Sequence, residues 1–379
     1  MVKGMYIHIP FCHQICFYCD FNKVFFKDQP VDAYIESIGK ELALWKKEGA
    51  LDHPLETVFL GGGTPTALTP EQLERLLELI HQYVPMMKNV EWSSEANPDE
   101  LTREKMEVLY KGGVNRLSMG VQTFDQDLLK RLGRTHANDD VLRAVETARE
   151  VGFSNISFDL MYGLPGQTMA QWDETLERAF AFGMPHFSAY SLIIEPKTVF
   201  YNLMVKGKLN TVTEDLEGDM YERLMDEMKK HGLHQYEISN FAKPGHESRH
   251  NLLYWDNEEY IGVGAGAHGY VNGIRYSNHG PLKKYMEPLE AGERPVLDAT
   301  TVTVKAQMEE EMFLGLRKTA GVELARFEEK FGAALEQVYG EILQNEQAKG
   351  NLVVEQGRVK LTHKGRFVGN EVFEQFLLS

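Results

Sequence analysis

From Met5 to Ile194 the chain alternates short β-branched or aromatic runs with longer stretches of helical spacing, and no other feature constrains its fold as strongly. Met5 to Ile9, Thr57 to Leu60, Val90 to Ser94, Asn115 to Val121, Ile156 to Met161 and Phe187 to Ile194 read as buried strands by length and flanking glycines. Between them, Val31 to Lys47, Pro70 to Tyr83, Thr102 to Lys111, Asp139 to Val151 and Thr168 to Phe182 carry helical spacing. Six strands in strict alternation with helices predict parallel pairing through right-handed crossovers. The expected class is α/β, a partial (β/α) barrel of six repeats, with a complete barrel as the alternative. In such barrels chemistry gathers at the C-terminal ends of strands, so the segment after each strand is where functional residues are sought.

The second helix has a complete start signal. Thr69 can cap it, Pro70 stands where the first helical N–H is unpaired anyway, and Glu71 favours the positive end. Beyond the alternation, Glu214 to Lys230 reads as another helix and Gln235 to Ser239 as a strand, followed by a loop at Phe241 to Arg249. A Pro- and Gly-punctuated stretch, Gly280 to Pro295, precedes helices and a hairpin around Gln356-Gly357. The expected division is a barrel over 1–240, a connecting region over 241–295, and a smaller helical, winged-helix-like domain over 296–379.

Charge narrows the function. The sum of −16 repels a phosphate backbone unless basic residues are locally concentrated, and residues 301–379 hold 10 basic against 12 acidic side chains. Nucleic acid is therefore not the expected partner. The longest stretch free of Asp, Glu, Lys and Arg, Ala179 to Ile194, falls short of the ~20 apolar residues of a membrane span and contains Gly183, Pro185 and His186. Without a secretory pattern in Met1 to Pro10, a cytoplasmic location is expected.

The three cysteines of the chain lie together, as Cys12-His13-Gln14-Ile15-Cys16-Phe17-Tyr18-Cys19, directly after the first strand. An odd number packed so tightly builds no disulfide framework. Three thiolates on one short loop can hold three corners of a cubane iron-sulfur cluster and leave the fourth iron open to a ligand. Structural zinc is the alternative, but it wants a fourth ligand and usually pairs two separated knuckles, of which there is one here. Inert buried thiols are the remaining reading.

Several strand-end segments carry unusual residues. Gly61, Gly62 and Gly63 allow close backbone approach to a ligand or, more simply, a tight turn before Thr69. Glu95 follows the third strand, where a carboxylate can accept from an ammonium group or cap a loop. Gln122 follows the fourth strand, Arg134 the next helix, and Asp159 stands inside an apolar strand, a costly position unless paired. Gly262 to Ala267 matches G-x-G-x-x-A, but Gly269, Asn272 and Gly273 interrupt the helix that a dinucleotide fingerprint requires.

Taken together, Tyr6-Ile7-His8-Ile9-Pro10-Phe11-Cys12, the cysteine loop and Gly61-Gly62-Gly63-Thr64-Pro65-Thr66 resemble the radical S-adenosylmethionine (SAM) superfamily, and within it the HemN-like branch of coproporphyrinogen oxidases. The resemblance implies a 4Fe-4S cluster on Cys12, Cys16 and Cys19, with SAM chelating the fourth iron. In that family one-electron reduction cleaves the sulfonium to methionine and a 5′-deoxyadenosyl radical. It also implies that Tyr6, Tyr18, Gly62, Gly63, Thr64 and Glu95 bind SAM, and that Gln122, Arg134 and Asp159, also cofactor-binding, line a second SAM or substrate region.

Oxidases of the branch carry a fourth cysteine two residues after the third, whereas Phe21 stands at that position here. They also begin with a longer N-terminal segment. Both departures, with His250-Asn251-Leu252-Leu253-Tyr254-Trp255, resemble the heme chaperone (HemW) subgroup, which implies heme as cargo. Heme-accepting proteins, among them membrane-associated respiratory ones, would be the partners, and association of two chains is open. His250 is the expected axial heme ligand, with His246, His268 and Tyr254 as competitors and a hydrogen-bonded structural role as the bland alternative. Oxygen-independent oxidation of coproporphyrinogen III, or radical chemistry on another substrate, are the alternative functions.

Overall fold

The computed structural model describes residues 1–378. Six strands pair in parallel and in chain order: β1 (Gly4–Ile9), β2 (Leu55–Gly62), β3 (Met86–Ala96), β4 (Arg116–Gln122), β5 (Asn155–Tyr162) and β6 (His186–Ser191). The helices between them occupy Val31–Lys47, Pro70–Tyr83, Arg103–Lys111, Asn138–Val151 and Met169–Ala181, as expected within a residue or two. A further short helix, Gln126–Leu132, is capped by Asp125 and precedes Arg134. The start signal at Thr69 is realised as a capping box: its hydroxyl accepts from the Gln72 N–H at 3.2 Å, and the Gln72 side chain accepts from the Thr69 N–H at 3.1 Å.

The sheet does not close. Its far sides carry antiparallel strands instead of a second ring of repeats, so the architecture is a partial barrel. On one side, β7 (His234–Glu237) and β8 (Asn240–Ala242) follow β6. On the other, β9 (Tyr260–Val263) joins β1 in parallel, and β10 (His268–Val271), β11 (Ile274–Asn278) and β12 (Val296–Thr301) continue the sheet. The run expected as a strand to Ile194 leaves the sheet after Ser191, opposite Tyr162, where its partner β5 ends at a left-handed Gly163.

Residues 241–295 are therefore built into the large sheet, which holds the chain until Thr301, past the division expected at 295. The edge strand β12 had no periodic signal to betray it, because nearly all of its side chains face solvent. The C-terminal unit has its own core around Met312, Leu316, Phe327, Tyr339 and Phe376. Its three-stranded sheet of β13 (Val322–Glu323), β14 (Leu352–Glu355) and β15 (Arg358–Leu361) includes the expected hairpin. There Gln356 and Gly357 both take positive φ, the backbone of a two-residue type I′ turn. No helix among the described residues is long and apolar enough to cross a membrane.

The two faces of the parallel strands differ in chemistry. Leu117, Met119 and Val121 of β4 and Ile156, Phe158 and Leu160 of β5 point outward into the core beneath the helices. The alternate residues, Arg116, Ser118 and Gln122 of β4, Asp159 of β5, and His186 and Ser188 of β6, line the lumen. A polar lumen inside an apolar shell is a binding cavity, not a packed core.

Candidate functional site at the barrel mouth

The lumen forms a cavity of about 690 Å3 lined by Cys12, Cys16, Cys19, Tyr6, Tyr18, Gly62, Gly63, Thr64, Glu95, Gln122, Arg134, Asp159 and His250, whereas Gly61 and His246 do not line it. The three cysteines hang over its mouth, Cys12 buried and Cys16 and Cys19 partly accessible, all with free thiols. The loop is fixed by backbone bonds from Phe17 N to Leu132 O and from Phe200 N to Phe17 O, each within 3.0 Å. Two of the sulfurs accept hydrogen bonds, Cys12 from the Thr64 hydroxyl at 3.7 Å and Cys16 from Arg134 Nη1 at 3.5 Å. Arg134 also donates to the carbonyl of Gly120. Tyr18 lines the wall beside Cys16, its phenol pushed up by burial and by that neighbouring sulfur.

The glycine run serves the protein backbone first. A side chain on Gly62, at φ +117°, would meet the His8 ring at 2.5 Å, and one on Gly63 would meet the Pro10 backbone at 2.7 Å. The glycines thus let the end of β2 press against β1 and the start of the cysteine loop. Gly62 N donates to Glu95 Oε2 at 2.9 Å, and the carboxyl lines the cavity. Thr64 in turn accepts from Asn97 Nδ2 at 3.3 Å, so a chain of contacts runs from Asn97 to Cys12.

Two carboxyl groups share the lumen. Burial, reinforced by the charge of Asp159, pushes Glu95 up to about 8. Burial also pushes Asp159 up to about 6, against hydrogen bonds from Ser118 at 2.9 and 3.1 Å and from Ser188. Gln122 holds a left-handed backbone, φ 64°, at the end of β4, where the pairing with β5 shifts register. The lumen thus holds two buried carboxyls, Glu95 and Asp159, together with two guanidiniums, Arg116 and Arg134, so it offers polar partners of both charges to a zwitterionic ligand.

The segment His250 to Trp255 closes the other end of the lumen, on the helix Arg249–Trp255. His250 is 1% exposed, and both of its ring nitrogens are engaged: Nδ1 with Thr57 Oγ1 at 2.8 Å and Nε2 with Tyr254 Oη at 2.9 Å. Its ring stacks on Phe59, and its N–H donates to Glu91 Oε1 at 3.0 Å. Burial pulls the imidazole down to about 3, so it is neutral. In the ligand-free fold His250 thus lines the cavity with both ring nitrogens hydrogen-bonded, the arrangement of the structural alternative. His246 is not part of the cavity lining, whereas His268 lines the mouth and is exposed.

Beyond the helix, the C-terminal unit grips its end. The Arg317 guanidinium lies 4.5 Å over the Trp255 ring, and Asp256 pairs with Lys318 and Arg326. Sequence reading missed Asn97, Ser118, Ser188 and Arg116 as cavity residues. Asn97 adjoins Glu95 in a segment already singled out, but the serines became visible only with the alternation of β4 and β6 in register.

The donor set fits the groups that the resemblance implies. Cys12 is pushed up to about 12 by burial, so iron binding there would displace a proton. Among the described residues no three Cys, His, Asp or Glu side chains converge tightly enough for a single metal ion.

Comparison with known proteins agrees. Residues 6–179 match the Radical SAM superfamily and residues 302–368 the HemN C-terminal domain. The chain is 51% identical to the heme chaperone HemW of Bacillus subtilis (strain 168), over 99% of both chains. It is 46% identical to that of Lactococcus lactis subsp. lactis (strain IL1403), over 99% of this chain and 97% of the other. In structure it is similar to the coproporphyrinogen III oxidase HemN of Escherichia coli, with a TM-score of 0.87 at 22% identity, over 99% of this chain and 90% of that one. That likeness speaks for the fold. Membership of the superfamily implies a 4Fe-4S cluster and SAM. On sequence identity over its whole length, the chain belongs to the HemW family of radical SAM proteins.

Proposed function

We propose that this chain binds heme and delivers it to heme-requiring proteins. The observation that carries the reading is Phe21. Where an oxidase of the branch has a fourth thiol, this chain has a phenyl ring that is 58% exposed at the cavity mouth. An exposed aromatic beside the cluster loop offers an apolar surface suited to a porphyrin plane, and the relatives at 51% and 46% identity are named heme chaperones.

In this reading Cys12, Cys16 and Cys19 hold the cluster, and the bound cluster with SAM supplies one-electron redox chemistry. Arg134 and Thr64 donate to the cluster thiolates and offset their charge. Tyr6, Tyr18, Gly62, Gly63, Gln122 and Asp159 line the cavity and would form the walls against SAM, and Glu95 would accept from its amino group. His250 positions the cavity floor by tying Tyr254 to Thr57. The recipients are hemoproteins, membrane-associated respiratory ones among them, met from the cytoplasm.

The test is chemical. The anaerobically reconstituted protein, given SAM, reductant and coproporphyrinogen III, is expected to form no protoporphyrinogen, and turnover to that product would replace this reading with the oxidase.

A further inference from the structure

Four histidines line the cavity: His8, His186, His250 and His268. Three are spent on internal contacts. His8 uses Nδ1 on the Tyr6 hydroxyl at 2.9 Å and Nε2 on the Asn22 carbonyl at 2.7 Å. His186 uses Nδ1 on Ser157 at 2.7 Å and Nε2 on Tyr236 at 2.8 Å. His250 is bound at both nitrogens to Thr57 and Tyr254. His268, the first residue of β10, is exposed, and neither ring nitrogen has a partner among the described residues.

The backbone leading to His268 is held firmly beside the cluster loop. Gly264 N donates to Glu41 Oε2 and Ala265 N to the Tyr34 hydroxyl, both at 2.9 Å. Asn22, three residues past Cys19, donates through Nδ2 to Ala265 O at 2.8 Å and to Gly280 O at 3.0 Å. A side chain on Gly266 would meet Asn22 at 2.9 Å, so the turn before His268 and the chain just after Phe21 are in direct contact. A ligand nitrogen on a braced strand end is positioned in advance of its metal.

The same mouth carries what a metalloporphyrin needs around such a nitrogen. Ile15 and the exposed Phe21 supply apolar surface, and Lys23 supplies a cation for a carboxylate side chain. The depth of the lumen is lined by the polar side chains Glu95, Asp159, Arg116 and Ser118, whereas the apolar Ile15 and Phe21 belong to the segment around the cysteine loop.

Resting on the heme reading above, we propose that His268 supplies the axial nitrogen to the iron of a heme seated at the cavity mouth against Phe21 and Ile15. Neutral imidazole is a common axial ligand.

Ferric heme titrated into the full chain, followed by absorption and electron paramagnetic resonance, tests this. The wild-type protein is expected to bind heme with a nitrogen-ligated spectrum. His268→Ala, at an exposed position that leaves the fold intact, is expected to lose that spectrum and to bind about tenfold or more weakly. Added imidazole should restore the spectrum to this variant, which a loss of packing would not allow. Unchanged affinity and spectrum in His268→Ala, or a wild-type complex without nitrogen ligation, overturns the ligand assignment while leaving heme binding standing. A wild-type protein that takes up no heme overturns the functional reading and the ligand with it.

Discussion

Arg134 donates through Nη1 to the sulfur of Cys16 at 3.5 Å, from a position anchored on the Gly120 carbonyl at the end of a barrel strand. A guanidinium on a cluster thiolate stabilises negative charge on the sulfur and on the cluster it would hold, so it raises the reduction potential.

Arg134→Met should therefore lower the potential of the reconstituted cluster and weaken cluster retention by about 10–100-fold. Iron content and potentiometry measure the two effects. Thr64→Val, which removes the donor to Cys12 without removing charge, should weaken retention and move the potential less.

Each cluster cysteine should be indispensable. Replacing Cys12, Cys16 or Cys19 by Ala leaves two thiolates on the loop, and iron analysis after anaerobic reconstitution should show loss of the cluster. Phe21→Cys restores the spacing of an oxidase, yet the prediction is that it forms no protoporphyrinogen, because the rest of the mouth is unchanged. Product formation by this variant would show that one residue separates the two activities.

Glu95 gives a pH prediction. Its carboxyl is raised from 4.5 to about 8 in the ligand-free fold, so the folded state binds the proton more tightly than the unfolded chain. The stability this contributes is complete below about pH 4.5 and is lost as pH rises through about 8. Glu95→Gln cannot ionise, so thermal melts should show the ligand-free variant gaining stability relative to wild type as pH rises across that window. The same variant should bind SAM about tenfold or more weakly.

The grip of the C-terminal unit is also testable. Arg317 stacks over Trp255 at 4.5 Å and Lys318 pairs with Asp256, at the end of the helix that floors the cavity. Arg317→Ala should cost about 1–2 kcal/mol in chemical denaturation. It should also loosen the floor, read as faster hydrogen exchange at Leu253 to Trp255.

The cysteine loop, the strand-end residues and the capped helix at Pro70 were legible because each is local: spacing, turn chemistry and a period carry them. What was hidden depends on distant pairing. Ser118 meets Asp159 only because β4 and β5 run in one register, and no pattern around Ser118 announces it. For His250 the sequence leaves both a ligand and a hydrogen-bonded role open, because its partner Thr57 lies 193 residues away in sequence. Strand β12 escaped notice for the opposite reason, since an exposed edge has no buried face to imprint a period on its residues.

The most direct test of the central claim is heme transfer. The full-length protein loaded with a stoichiometric equivalent of heme is mixed with an apo-hemoprotein of distinct spectrum, with and without reconstituted cluster and SAM. The account predicts that heme leaves this protein and appears in the acceptor faster than from free heme in solution. Heme that stays bound, or that reaches the acceptor no faster than free heme does, would contradict it.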